Sequence, residues 1–340
     1  MKLKQIIAAV LAAAMMTAMT ACSSNGGEQS QQSSGESQSE SQSESSGEKK
    51  FKVGVIQLVQ HEALDAATQG FVDTLNEKLG EGNVEIVVQN ASGDSATCGV
   101  IANQFVSEGV DLIMANATPA LQAAAAATGS IPILGTSVTD YATALQISDW
   151  TGKTGVNISG TADLAPLSEQ AAMIKELFPE AKKVGILYCS AEPNSAYQAS
   201  VIKEELSALG IESEEFTFAD TNDVAAVTTT ACGACDVLYI PTDNTAATCT
   251  ETINNVAQPA GVPIVAGEAG ICSGCGVATL SISYYDLGTI TGEMAVEILT
   301  EGKNPADMDV RFAPEVTKMY NPTICSALGI TPPEGYTAME

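Results

Sequence analysis

From Phe51 onward, short apolar runs alternate with stretches in which apolar residues recur every three or four positions. The runs "FKVGVIQLV", "VEIVVQNA", "DLIMANA" and "IPILGTSV" predict strands. Between them, "LDAATQGFVDTLNEKLG" puts Leu64, Phe71, Leu75 and Leu79 on one helical face. "TCGVIANQFVSEGV" predicts a helix stopped by Gly109, and "TPALQAAAAATG" another. The pattern then restarts. "LSEQAAMIKELFPEA", "NSAYQASVIKEELSALG", "TNDVAAVTTTACGA" and "NTAATCTETINNVAQPAG" predict helices. They alternate with strands "KKVGILYCS", "IESEEFTFA", "CDVLYIPTD" and "VPIVAGE", and a short strand follows near "VATLSI". Strands of continuous Val/Ile/Leu character between amphipathic helices indicate parallel sheets covered on both faces. The halves match in order: "VGVIQ" with "VGILY", and "DLIMANATPA" with "DVLYIPTDNTA". Two similar α/β domains are therefore expected. After Ser283, a long helix over "YYDLGTITGEMAVEILTEGKNP", an extended "MDVRFAPEVTKMYN" and a last helix "PTICSALG" suggest that the chain crosses between domains more than once.

The first 50 residues differ in kind. Lys2 and Lys4 precede an apolar run, Ile6 to Met19, shorter than the roughly 20 residues of a membrane-spanning helix. Small residues and Cys22 follow, which is the layout of an export signal. The tetrad "MTAC" resembles a bacterial lipoprotein signal, with Cys22 as the lipidated first residue of the mature chain. The plainer alternative is a secretory signal with Cys22 a bystander. Residues 23–50 are mostly Ser, Gln, Glu and Gly; with nothing apolar to bury, they cannot offset their ordering entropy and read as a tether. About 290 residues remain, comfortable for two domains.

Charge narrows the partners. The net charge is −27, and loss of Lys2 and Lys4 makes it −29. With no basic patch, nucleic acid and anionic lipid are not expected as partners. Nine cysteines are many for an exported chain. Two pairs read C-x-x-C, in "ACGACD" and "ICSGCG". A metal or iron–sulfur site, a disulfide and free thiols from an anoxic habitat all stay open on this pattern, and no metal ligand is assigned. No nucleophile elbow, P-loop or H-E-x-x-H occurs, so no catalytic residue and no cofactor are expected.

The strand ends carry the candidate chemistry. In open parallel sheets, ligands sit beyond the carboxyl ends of the strands. Gln60, His61 and Glu62 follow the first strand, Thr118 and Pro119 the third, and Ser137, Thr139 and Asp140 the fourth. In the second half Glu192, Asn194 and Ser195 follow the first strand, Thr242, Asp243 and Asn244 the third, and Glu268 the fourth. Helix N-termini there would meet a carboxylate or phosphate, and Asp243, Glu192 or Glu268 an ammonium group. A zwitterion such as a free amino acid suits that pairing. Each residue taken alone reads equally as a helix cap. Tyr141, Tyr197 and Tyr284 are candidates for an apolar slot, and Trp150, the single tryptophan, for packing at the crossover.

The segments "VGVIQLVQHEALD", "NASGD", "DLIMANATPALQAAAAAT", "IPILGTSVTDY", "VGILYCSAEPNS", "DVLYIPTDN" and "YYDLGTITGEMAVEIL" together resemble a family of substrate-binding lipoproteins of ABC importers. Members linked to uptake of tryptophan and other aromatic amino acids belong to it. The resemblance runs from Phe51 to about Ile330. It implies two Rossmann-like domains of the periplasmic-binding-protein class I type, joined by a multi-segment hinge. The expected division is 1–21 signal, 22–50 linker, 51–158 with 284–309 as one lobe and 159–283 with 310–340 as the other. It implies a permease and an ATPase as partners, a monomer held at the outer face of the membrane by lipid on Cys22, and a ligand that is most simply an aromatic amino acid. By motif it carries the pocket onto Gln60, His61, Thr118, Ser137, Asp140, Glu192, Asn194, Ser195, Asp243 and Asn244. Cys189 departs from the family, which often has Asn after the Tyr of that strand. A ligand-presenting sensor, or a binder of nucleosides or other small metabolites, remains the alternative.

Overall fold

The structure is a computed structural model in which residues 50–339 are described. The expected signal, tether and Cys22 lie outside the described residues. The first half runs β1 (Phe51–Gln57), α1 (Glu62–Leu79), β2 (Val84–Asn90), α2 (Ser95–Glu108), β3 (Leu112–Asn116), α3 (Thr118–Ala127), β4 (Ile133–Val138), α4 (Tyr141–Leu145) and β5 (Ile158–Ala162). The second runs α5 (Leu167–Leu177), β6 (Lys183–Cys189), α6 (Pro193–Ala208), β7 (Glu212–Phe218), α7 (Val224–Ala234), β8 (Val237–Ile240), α8 (Asn244–Ala247), α9 (Thr250–Ala260), β9 (Ile264–Ala266), α10 (Ala269–Cys275) and β10 (Ala278–Ser281). The chain ends with α11 (Tyr284–Glu301), a 3-10 turn at Pro305–Asp307, β11 (Arg311–Phe312), β12 (Thr317–Tyr320), α12 (Pro322–Leu328) and β13 (Thr337–Ala338).

Each lobe holds a parallel core of five strands in the same order. The first sheet is β11-β5-β4-β3-β1-β2, parallel throughout. The second is β13-β12-β10-β9-β8-β6-β7, with only β12 running antiparallel to its inner neighbour β10. Alternate residues of β1 explain the layering. Val53 and Val55 pack with Phe71 of α1 and Met294 of α11, whereas Ile56 packs with Phe105 of α2 and Leu121 of α3. Gly54 faces Phe105 because a Cβ there would lie 2.5 Å from the ring.

α11 is the piece that only the assembled fold accounts for. It leaves the second sheet and lies along α1 at close range. A Cβ on Gly288 would fall 2.0 Å from Ala67 O, and one on Gly70 2.1 Å from Tyr285 O. Two glycines facing two backbones let the helices touch main chain to main chain.

Three segments connect the sheets: 163–166, 282–283 and 313–316. The division at 158/159 and 309/310 therefore moves. β5 reaches Ala162 on the first sheet, and Arg311–Phe312 pairs there with Thr161 and Ala162. β5 ("ISGTA") lacks the apolar run that marks a strand, which is why it escapes periodicity. α4 and α10 were likewise unmarked, being one or two turns long. The helix expected over 244–261 divides at Thr248 and Cys249 into α8 and α9.

Candidate functional site

The carboxyl ends of both sheets meet across one cleft. Its inner part is a tight, largely enclosed cavity of about 10 Å³. His61, Leu64, Ser137, Thr139 and Asp163 line it from the first lobe, Asn194, Thr242, Asp243, Asn244 and Glu268 from the second, and Tyr284 from α11. A wider outer cavity of about 240 Å³ lies beside it. Leu58, Val59, Ser92 and Pro119 line one side of this outer space and Cys189, Glu192, Asp220 and Asn244 the other. Neither cavity has a lysine or arginine in its wall.

The strand ends are bent to present polar groups. Ala117 has φ 92° and Ser137 φ 53°, left-handed values that L-residues rarely adopt. These turns bury hydroxyls with nothing to bond. Thr118 Oγ1, Ser137 Oγ and Asn194 Oδ1 are buried and unpartnered. Native folds rarely leave such groups orphaned. Ser137 and Asn194 belong to opposite lobes and both face the inner cavity. The helices at these ends are uncapped too. His61, Ala117 and Glu192 occupy the N-caps of α1, α3 and α6, and none makes a side-chain capping bond. Their first-turn amides are positive dipole ends.

The acids behave differently from one another. Glu192 accepts from Asn244 N and Nδ2, Thr245 N and Oγ1, and Asn194 Nδ2. Five bonds saturate a carboxylate's roughly four acceptor sites. Glu192 thus ties α6 to α8 and has no oxygen to offer. Asp243 caps α8 through Ala246 N at 2.7 Å and takes Cys189 N at 2.7 Å. Glu268 caps α10 through Gly270 N and Ile271 N. Burial pushes Asp243 up to about 8, with the charge of Glu192 adding to it, and Glu268 up to about 7. Asp163 sits at the end of β5, accepting from Thr139 Oγ1 at 3.0 Å and Tyr284 Oη at 2.9 Å; burial raises it as well. His61 Nε2 lies 3.2 Å from Asn244 Oδ1 and joins the lobes, and burial holds its pKa below the usual value.

Of the expected residues, His61, Ser137, Asn194, Asp243, Asn244 and Glu268 line the inner cavity, and Pro119 and Glu192 the outer one. Gln60 lies in an open recess beside His61. Thr118 and Ser195 are buried just behind these walls, Ser195 Oγ bonding Asn194 and Thr242. Asp140 stands apart, capping α4 through Thr143 N. Among the tyrosines, only Tyr284 reaches the inner cavity; Tyr141 is buried with its hydroxyl on Thr161 O. Trp150 stacks on Tyr141, ring centroids 6.4 Å apart. Cys189 lines the outer cavity, its thiol raised by burial. Both C-x-x-C pairs are free thiols, and no group of side chains among the described residues is arranged to hold a metal ion. Asp163 is the residue the sequence reading missed. Its only signal, an acid after a strand, was hidden with β5.

Comparisons place this geometry. A family model described as ABC transporter substrate binding protein matches residues 52–339. A tyrosine-binding protein of Clostridioides difficile (strain R20291) is 36% identical over 283 residues, 83% of this chain and 81% of that one. The crystal structure of an ABC domain in complex with L-Trp from Streptococcus pneumonia is 33% identical, with TM-score 0.81 over 85% of this chain and all of that one. The open, ligand-free structure of a substrate-binding protein with adhesive properties from Clostridium difficile is 36% identical, with TM-score 0.66 over 85% of this chain and 99% of that one. The chain belongs to the ABC transporter substrate-binding protein family.

Proposed function

We propose that the protein captures a free aromatic amino acid in the interlobe cleft and delivers it to the permease of an ABC importer powered by an ATPase. The observation that carries this reading is the pair of buried, unpartnered polar atoms, Ser137 Oγ and Asn194 Oδ1, facing one enclosed cavity from opposite lobes. A ligand that bridges them draws the lobes together. Uncapped helix ends suit its carboxylate, and an acidic wall without lysine or arginine suits its ammonium. The outer part of the cleft, about 240 Å³, lies just under the usual 300–1,000 Å³ of ligand pockets, which favours one amino acid over a peptide. The two relatives that bind tyrosine and tryptophan support the aromatic class. The closer superposition on the L-Trp complex than on the open protein, at lower sequence identity, supports a closed state. Closure by hinge bending about the three connecting segments follows from this reading.

Members of this family work outside the cytoplasm, and no helix among the described residues is long and apolar enough to cross a membrane. Lipid on Cys22 supplies the anchor in this reading; Cys22→Ala then moves the protein from membranes to the medium. The decisive experiment is titration calorimetry with L-tyrosine, L-tryptophan and L-phenylalanine, beside native mass spectrometry for co-purified ligand. Saturable binding of at least one supports the proposal. No heat and no mass shift at about millimolar ligand, where binding of about −4 kcal/mol still registers, rejects it.

A further inference from the structure

Resting on that reading, we propose that Asp163 is the residue that selects for a free amine on the ligand. Five carboxylates line the cleft: Asp163, Glu192, Asp220, Asp243 and Glu268. Asp220 is exposed at the outer edge, where Asn222 N already bonds it. Of the four buried ones, three are committed to the protein. Glu192 accepts five bonds, Asp243 two backbone amides and Glu268 two backbone amides. Asp163 alone takes no amide from another residue; only its own N–H reaches the carboxylate. It also accepts two hydroxyls, Thr139 on Oδ1 and Tyr284 on Oδ2, which leaves room for one further donor. Both hydroxyls can turn, so the carboxylate admits an ammonium group without losing a fixed bond.

The surroundings strengthen the assignment. Asp163 is 4% exposed and faces a cavity with no cationic side chain. The titratable groups around it are Tyr284 from α11, Tyr141 from α4 and Glu268 from the second lobe, with His61 across the same cavity. None supplies a stable positive charge, and a buried carboxylate without one is costly. Its raised pKa is the same statement in protonation terms. The ligand's ammonium supplies the missing charge and expels any proton that Asp163 carries. Position adds consequence: Asp163 opens the first connecting segment, and Tyr284 follows directly on the second. An amine docked on Asp163 therefore acts on a hydrogen bond that links two of the three hinge segments.

The test compares L-tyrosine with its deaminated analogue hydroxyphenylpropionate in wild type, Asp163→Asn and Tyr284→Phe, by calorimetry, with circular dichroism melts to check folding. Wild type is expected to prefer L-tyrosine by about 10- to 100-fold, the range for a buried charged hydrogen bond. Asp163→Asn should remove most of that preference while holding the analogue within about threefold. Tyr284→Phe should keep the preference but weaken it. In wild type, lowering the pH should weaken L-tyrosine more than the analogue, as protonation of Asp163 competes, and Asp163→Asn should lessen that difference. Equal losses for both ligands in Asp163→Asn, or wild-type affinities with matching pH profiles, would overturn the assignment while leaving amino-acid capture intact. Wild type that binds neither ligand, nor L-tryptophan, takes both readings down.

Discussion

Ser137 shows how a single residue is held against its own preference. Its backbone is left-handed, its side chain is buried, and its hydroxyl bonds nothing in the protein. Strain and desolvation of this kind persist where the surrounding structure enforces them, typically at sites that act on a ligand. Ser137→Ala should therefore leave the melting temperature unchanged or slightly raised, since an unsatisfied hydroxyl leaves the core. Amino-acid affinity should fall by about fivefold to tenfold, the worth of one neutral hydrogen bond. A variant that melts early and binds normally would mean the hydroxyl serves the fold. Glu268 makes a second prediction. Its folded pKa of about 7 lies above the unfolded value, so the native state binds the extra proton between the two. Stability of the ligand-free protein should then rise as pH falls from about 8 towards about 4.5, and Glu268→Gln should flatten that slope. Asp243, pushed up to about 8, acts in the same direction. A melting profile that is flat or inverted across that window contradicts the buried-acid account.

Among the elements, the pairing of α1 with α11 has the clearest consequence. α11 comes from far along the sequence, yet Gly70, Gly288 and Gly292 bring it within backbone contact of α1. Replacing Gly288 with Leu drives a side chain into Ala67 O, so the helices must part. Overpacking of this severity costs about 1–3 kcal/mol or more, read as a lower denaturant midpoint. The loss should appear in the first lobe, because α11 packs mainly on α1, β4 and β5. The capped and uncapped helices divide the work differently. Asp94, Asp140, Asp243, Glu268, Ser283 and Asn321 each cap their own helix. Losing one such cap costs stability of about 1 kcal/mol. α1, α3 and α6 are left without a side-chain cap and begin at the cleft. Capping and an open helix end thus sort by helix.

For the whole molecule, closure is the property that matters. The lobes touch through His61 and Asn244 and through α4 against α6, but they share no sheet. Ligand that bonds both lobes should shift the open–closed balance by mass action. Small-angle scattering should show a smaller radius of gyration with saturating amino acid than without. His61→Ala removes a direct interlobe bond and should enlarge the ligand-free form. An unchanged radius in both experiments would mean the lobes do not move.

The linear chain by itself determined the two α/β lobes, the succession of strands and helices along each and the polar character of the strand ends. Those features come from local periodicity, which a continuous Val/Ile/Leu strand and an amphipathic helix write plainly into adjacent residues. Tertiary structure decided the rest. β5 has no apolar run and becomes a strand only because β4 and β11 flank it. Asp163 therefore had no element to be read against. Glu192, Asp243 and Glu268 look alike in sequence as acids at strand ends. Only the positions of α8 and α10 show that fixed backbone amides already hold them, because a carboxylate's partners depend on how the helices after the strands are placed.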